Sequence, residues 1–257
     1  MYLIAHITDT HLDGAAQSRG RLLRVADYLR GLATAPDAII VTGDITQGEA
    51  TGDYRFIADA LAGIAPILYC PGNSDRRGPF AATLVPDFVP MQAAGEGGHP
   101  PVNYQREIGR VTFVILDASV PGSYHGQLGD ATASWLAETL TTIPAARPVV
   151  IGLHQPPLAL GHPTIDALKL RDPEPFAAAL VRHPNVVAVL AGHTHAATAT
   201  TFAGCPLIVA PGIHSNLHFP WEPAAPGGMP IDTAAPPALA FHLLDDDNRV
   251  VTYFRSL

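Results

Sequence analysis

Aspartate, histidine and asparagine recur in this sequence at one kind of position, just after an apolar run. They stand in Asp9-Thr10-His11, Gly43-Asp44, Gly72-Asn73, His154 and Gly192-His193-Thr194-His195. The runs before them, Tyr2–Ile7, Ala38–Thr42, Ile67–Cys70, Val149–Leu153 and Val186–Ala191, read as buried strands. Side chains that leave the C-terminal ends of strands converge where open α/β sheets place their active sites. Seven donors, Asp9, His11, Asp44, Asn73, His154, His193 and His195, suffice for two metal ions at three or four protein ligands each. Carboxylate, amide oxygen and imidazole suit Mn²⁺, Fe²⁺/Fe³⁺ or Zn²⁺, and the absence of thiolate argues against a structural zinc site. The chemistry this predicts is two-metal hydrolysis. Taken singly, each residue has a plainer reading: Asp44 as a turn former, Asn73 in a left-handed turn, a histidine packed in the core. The order of all five elements carries the signal.

The elements that must position them alternate. Leu22, Val25, Ala26, Leu29 and Leu32 recur at helical spacing over Arg21–Leu32, and Asp53–Leu61 follows the second strand as another helix. Strands alternating with helices argue for βαβ units and a parallel sheet. Val102–Glu107 and Val111–Asp117 flank Gly109-Arg110, the dipeptide of a tight hairpin. Ala131–Thr141 is expected to be a helix capped by Asp130, and Asp172-Pro173 to open another as N-cap and N1, running to about Arg182. The last third is β-rich over Ala196–Phe202, Pro206–Ala210, Ala238–Leu244 and Val250–Phe254. The expectation is one α/β domain over 1–257, two sheets enclosed by helices, with loop insertions near 85–103, 155–172 and 214–237.

With 257 residues, 47% apolar and 15% charged, the chain can bury a full core without splitting in two. Its 15 Lys and Arg against 23 Asp and Glu give a net charge of −8. No Lys/Arg cluster forms the basic face that extended nucleic acid needs, so no nucleic-acid polymer is expected as a partner. Cys70 and Cys205 lie far apart, outside any CxxC spacing, and read as buried thiols. The first strand starts at Tyr2 with no basic n-region before it, and no apolar run approaches the ~20 residues that span a bilayer. A cytoplasmic setting with no membrane partner is expected.

In this order the motifs resemble those of the calcineurin-like metallophosphoesterases, whose pattern is DxH, GD, GNH[DE], a lone His and GHxH. The resemblance spans residues 3 to about 215, with Gly72-Asn73-Ser74-Asp75 in the third place. Within the family the chain looks most like the bacterial class III cyclic nucleotide phosphodiesterases. That likeness rests on His154-Gln155-Pro156-Pro157, Asp166–Asp172, and Leu116–Leu136 with Val120-Pro121-Gly122, His125-Gly126 and Trp135-Leu136. The resemblance implies a four-layer α/β/β/α sandwich. It implies one metal held by Asp9, His11 and His195, a second by Asn73, His154 and His193, and Asp44 bridging them. It also implies a homodimer. Two ions ~3.5–4 Å apart share a water, lower its pKa and present hydroxide for in-line attack on phosphorus. Asn73 is expected to help hold the second ion and to touch the phosphoryl oxygen.

Ser74 is the departure. The family pattern has His there, contacting the phosphate and protonating the departing oxygen, with the following acid orienting it. A serine hydroxyl donates a hydrogen bond but is far too weak an acid for that protonation, whose loss costs ~10²–10⁴ in rate when the leaving group needs a proton. Ser74 is therefore expected to bias the enzyme toward phosphodiesters and away from monoesters, unless His214 or His125 reaches the leaving group instead. Asp75, without its partner, is left to cap the helical region near Pro79 or to face solvent. His6, His99, His162, His183 and His218 belong to no metal motif and read as structural or surface residues. His214, in Pro211-Gly212-Ile213-His214 after a strand end, is placed near the pocket, and Asn73, Ser74 and His214 are the candidate substrate contacts.

The substrate this favours is a small phosphodiester, a 3′,5′- or 2′,3′-cyclic nucleotide. A glycerophosphodiester or another small phosphoester is the alternative, and the loops 85–103, 119–127 and 155–172 are expected to wall the pocket. A non-catalytic interaction module would have shed ligands, and all seven are present here.

Overall fold

The computed structural model describes residues 1–48, 51–89, 98–223 and 230–257. In its first third, strands β1 (Tyr2–Ile7), β2 (Ala38–Thr42) and β3 (Ile67–Cys70) alternate with helices α1 (Ala16–Arg30), α2 (Thr51–Leu61) and α3 (Arg77–Leu84). The middle runs β4 (Tyr104–Ile108), β5 (Val111–Ile115), β6 (Gly126–Gln127), α4 (Asp130–Thr142), β7 (Val149–Gly152), α5 (Pro163–Asp166), β8 (Leu170–Arg171), α6 (Glu174–Arg182) and β9 (Val186–Ala191). The rest is β: β10 (Thr198–Phe202), β11 (Cys205–Val209), β12 (Asn216–Leu217), β13 (Ile231–Asp232), β14 (Ala238–Leu244) and β15 (Val250–Ser256).

Two sheets carry the fold. One is ordered β15-β14-β1-β2-β3, the other β10-β11-β9-β7-β5-β4. In both, the central strands are parallel and buried on both faces, which is why they read as unbroken apolar runs. Strand alternation sends Ile4, Ile40 and Leu68 of the first sheet against Phe113, Val150 and Leu190 of the second. The opposite face of the first sheet, with Ile7, Ile39 and Val41, packs on Leu22, Leu29, Tyr54 and Phe80 of its helices. The far face of the second sheet, with Val114, Ile151 and Val189, packs on Leu136 and Leu140 of α4 and on Phe176 of α6. The layers are thus α/β/β/α, as expected. No helix among the described residues is long and apolar enough to cross a membrane.

Three local expectations need correction. Gly129, not Asp130, is the N-cap of α4; Asp130 sits in the first turn, where its charge suits the helix dipole without a capping bond. Asp172 does not cap α6, because its backbone is left-handed (φ 50°) and its carboxylate accepts from Gln127 Nε2 at 2.9 Å, so Pro173 takes the N-cap position. The stretch 214–237 is not loop throughout: Asn216 and Leu217 pair antiparallel with Asp232 and Ile231. Residues 90–97 of the 85–103 insertion and 224–229 of the 214–237 insertion lie outside the described residues.

Candidate metal centre

Every predicted ligand leaves the C-terminal end of a parallel strand. Asp9 and His11 follow β1, Asp44 follows β2 and Asn73 follows β3 in one sheet. His154 follows β7, and His193 and His195 follow β9, in the other. The sheets face each other, so the two sets meet at one edge. Five of the seven, Asp9, His11, Asp44, His193 and His195, have φ between 41° and 72°. Non-glycine residues in that region cost of order 1–3 kcal/mol each and persist only where surrounding contacts over-determine them.

Two groups have ligand atoms within 4.8 Å of one another: Asp9, His11 and His195, and Asp44, His154 and His193. Asp9 Oδ1 lies 3.4 Å from His195 Nε2 and 3.7 Å from His11 Nε2. Asp44 stands between the groups. Its Oδ1 is 3.3 Å from His154 Nε2 and its Oδ2 is 3.6 Å from His11 Nε2. Asn73 is brought to the same place, its Nδ2 donating to Asp44 Oδ2 at 3.3 Å.

The groups that orient the imidazoles could not be read from the sequence. His154 Nδ1 donates to the Thr42 carbonyl at 2.6 Å, and His195 Nδ1 meets Ser215 at both its hydroxyl (2.7 Å) and its carbonyl (3.2 Å). His11 Nδ1 faces Gln47 Oε1 at 2.5 Å. Each bond leaves Nε2 as the lone-pair nitrogen turned inward. Asp9 Oδ2 accepts from Thr8 Oγ1 (2.8 Å) and from the His193 N–H (2.9 Å), while Asp9 Oδ1 is buried, faces the His11 and His195 rings and accepts no hydrogen bond.

Those features fit metal ions. An orphaned buried carboxylate oxygen and lone pairs converging on it form a cavity of negative potential that only cations satisfy. Without ions, protons take that place. Burial opposes charge on His11 and His154, yet Asp9 and Asp44 raise the first to about 9 and chiefly Asp44 raises the second to about 9. Burial likewise opposes charge on Asp9 and Asp44, but the neighbouring imidazoles hold both carboxyls well below the usual carboxylate range. His193, buried beside His154, falls to about 4.

Ser74 donates its N–H to Asp44 Oδ1 at 2.8 Å, and its hydroxyl is buried without a partner. Asn73 and Ser74 line a cavity of about 810 Å³ whose walls include Gln47, Arg77, His99 and Tyr124. The loops 85–103 and 119–127 thus contribute to it, as expected, whereas 155–172 does not line it. Gln155 stands behind that wall, its Nε2 3.5 Å from Asn73 Oδ1 and 3.4 Å from the Tyr124 carbonyl. His214 sits beside the metal ligands rather than in the Ser74 cavity: its ring meets His11 edge-on at 5.4 Å and its backbone N–H donates to the Asp9 carbonyl at 2.9 Å. His125, bonded to Ser123 Oγ, is not in that lining either. His99, which the sequence left among surface residues, is.

Asp75 neither caps α3 nor faces solvent. It is buried and accepts from the N–H groups of Ile45, Thr46 and Gly72 and from the Tyr54 hydroxyl. Arg76 occupies the N-cap position of α3, with no side-chain capping bond. Burial, then the Asp44 charge, pushes the Asp75 carboxyl up to about 6 against those hydrogen bonds.

The profile of the calcineurin-like phosphoesterases matches residues 2–197. A cAMP/cGMP dual specificity phosphodiesterase of Mycobacterium tuberculosis is 32% identical over 221 residues, 81% of this chain and 66% of that protein. The chain thus spans just under two thirds of that relative's length. A glycerophosphodiester phosphodiesterase of Enterobacter lignolyticus is 28% identical over 87% of this chain and 82% of its own. Among solved structures, a dimetal phosphatase of Danio rerio superposes with a TM-score of 0.74 over 99% of this chain and 96% of its own, at 16% identity, which speaks for the fold alone.

Proposed function

The chain belongs to the calcineurin-like phosphoesterase family, and from that premise we propose that it is a two-metal phosphodiesterase acting on a small phosphodiester, a 3′,5′- or 2′,3′-cyclic nucleotide. The observation that carries this reading is Asp44 between two ligand groups, one carboxylate oxygen turned to each. Asp9, His11 and His195 would hold one ion, Asn73, His154 and His193 the other, and Asp44 both. The donor set suits Mn²⁺ or iron, with Zn²⁺ also compatible. Bound there, the ions would lower the pKa of a shared water into the working range and neutralise charge on the phosphoryl oxygens.

The chain's own residues do the rest. Thr42, Gln47 and Ser215 engage the outer nitrogen of His154, His11 and His195, so those three rings keep Nε2 turned inward without reorganising. The unpartnered Ser74 hydroxyl is free to donate to a phosphoryl oxygen, and Asn73 stands beside it at the cavity wall. Ser74 cannot protonate an alkoxide at neutral pH. A substrate whose leaving group departs without that help loses least, which favours strained cyclic or aryl diesters over monoesters.

The names of the relatives support a diester substrate in two forms. The mycobacterial one favours a cyclic nucleotide, and the enterobacterial one keeps a glycerophosphodiester as the second reading. Mn²⁺-dependent turnover of bis-p-nitrophenyl phosphate, p-nitrophenyl phosphate, 3′,5′-cAMP, 2′,3′-cAMP and glycerophosphocholine separates them. Turnover of the cyclic nucleotides above glycerophosphocholine is expected; the reverse order installs the second reading, and monoester preference overturns the diester assignment.

A further inference from the structure

We propose that Asp75 is a positioning residue that clamps the two turns carrying Asp44 and Asn73, and so sets the affinity of the second metal ion. This rests on the two-ion reading above. In the family pattern an acid at this place orients a histidine, and here that histidine is Ser74, so another account of Asp75 is required.

The geometry supplies one. Asp75 Oδ2 accepts from the Gly72 N–H at 2.9 Å, on the residue before Asn73. The same carboxylate reaches across 30 residues of sequence to the turn after β2. It accepts from the Ile45 N–H at 3.2 Å and the Thr46 N–H at 3.1 Å, on the two residues after Asp44. Tyr54 backs it from α2: its hydroxyl donates to Asp75 Oδ1 at 3.1 Å and accepts from the Arg76 N–H at 3.0 Å. Asp75, Gly72, Ile45, Thr46 and Tyr54 are all buried, Tyr54 fully so.

The turn so held needs holding. Gly43 and Asp44 are both left-handed, with φ of 89° and 49°. The turns also interlock without room for a side chain: a Cβ on Gly72 would lie 2.2 Å from Asp44 Oδ1 and 2.3 Å from the Asp44 nitrogen. The second ion depends on both clamped turns, through Asp44 and Asn73. The first depends on only one, through Asp44, while Asp9 has its own bonds to Thr8 and His193. Loosening the clamp should therefore weaken the second site more than the first.

The test is Mn²⁺ binding to the full-length chain, followed by titration and electron paramagnetic resonance, with the melting of the metal-free protein alongside. The wild type should take up two Mn²⁺ and show the multiline spectrum of a coupled pair. Asp75→Asn keeps the shape but puts an N–H₂ where an acceptor is needed. It should bind the second ion ~10–100-fold more weakly, keep the first within about threefold, and show the six-line spectrum of an isolated ion. Unchanged affinity for both ions overturns the proposal. So does equal weakening of both with a lowered melting temperature, since that marks a residue that merely supports the fold.

Should Asp75→Asn fail to fold, Tyr54→Phe decides. It keeps the ring against Phe80 and removes the hydroxyl, and should weaken the second ion alone by ~3–10-fold. A Tyr54→Phe protein with both affinities unchanged overturns the proposal. A wild type that takes up no second ion overturns the two-ion reading and this inference with it.

Discussion

The Nε2 atoms of His11 and His195 lie 3.2 Å apart, with the Nδ1 of each ring engaged on its outer side by Gln47 and Ser215. Two lone pairs at that separation need a cation between or beside them. In the metal-free protein a proton serves: against burial, the Asp9 and Asp44 carboxylates hold one on His11, and chiefly Asp44 holds one on His154, lifting both to about 9. A metal ion competes with those protons, so its affinity should rise with pH until about 9. At pH 7.5, Mn²⁺ binding should release about two protons per chain. Calorimetric titration in two buffers of different ionisation enthalpy reads that number directly, and zero release would refute this account of the cluster.

Ser74 sets the second expectation. With its hydroxyl buried and unpartnered at the cavity wall, a histidine at this position would meet the phosphoryl group from the same side. Ser74→His should raise p-nitrophenyl phosphate turnover, relative to bis-p-nitrophenyl phosphate, by ~10-fold or more. A ratio that stays flat removes Ser74 as the cause of diester preference. The complementary Ser74→Ala should cost ~3–10-fold in kcat through loss of one donor to the substrate.

The ligand positions were legible because parallel strands buried on both faces announce themselves as apolar runs, and the ligands follow them directly. The order of the runs carried the layers as well, since strand–helix alternation leaves few topologies. What escaped lies in contacts distant in sequence or in backbone geometry. Gln47, Ser215 and Thr42 orient imidazoles 36, 20 and 112 residues away, and no local pattern marks them. The left-handed backbone at Asp9, His11 and His193 is unsignalled because the usual sign of that conformation is glycine. Asp75 escapes a local reading because, Gly72 aside, the Ile45, Thr46 and Tyr54 groups it accepts from lie 30, 29 and 21 residues away. Asp130 and Asp172 each stand one position from the N-cap, where a neighbour rather than the helix end takes the carboxylate or the cap.

His242, opposite the predicted structural His6, carries a third expectation. On the face between the sheets, Thr42, His6, His242 and Thr252 form a hydrogen-bonded row, with His6 Nδ1 3.1 Å from His242 Nε2. Burial, and for His6 the neighbouring His242, keeps both rings neutral; His242 falls to about 3 and His6 well below its ordinary value. Unfolded, both protonate near pH 6.5. The unfolded state therefore binds more protons below that pH. The pair's contribution to stability is whole above about 6.5 and is lost as pH falls toward 3, at about 1.4 kcal/mol per pH unit for each ring. Urea unfolding of the metal-free protein at pH 7.5 and 5.5 checks this. The drop should be about 2–3 kcal/mol smaller in His6→Leu/His242→Leu than in the wild type. Equal drops would mean that other groups govern acid unfolding.

Gly72 offers the sharpest contrast with the Asp75 clamp. Its backbone angle is ordinary, so glycine is required there by proximity alone. A Cβ would fall 2.2 Å from Asp44 Oδ1 and 2.3 Å from the Asp44 nitrogen, while that of Gly43 would fall 2.5 Å from His154 Nδ1. A backbone nitrogen cannot swing aside as a long side chain can, so Gly72→Ala must push the whole Asp44 turn away from β3. Because Asp44 turns one oxygen to each ligand group, both ions should weaken together, unlike the one-sided loss expected of Asp75→Asn. The metal-free variant should also lose ~1–3 kcal/mol of stability, as overpacked buried sites do. Mn²⁺ titration beside a denaturant melt separates the outcomes. Wild-type affinity for both ions in Gly72→Ala would show that the two turns can part without moving Asp44, and that their interlock does not set the site.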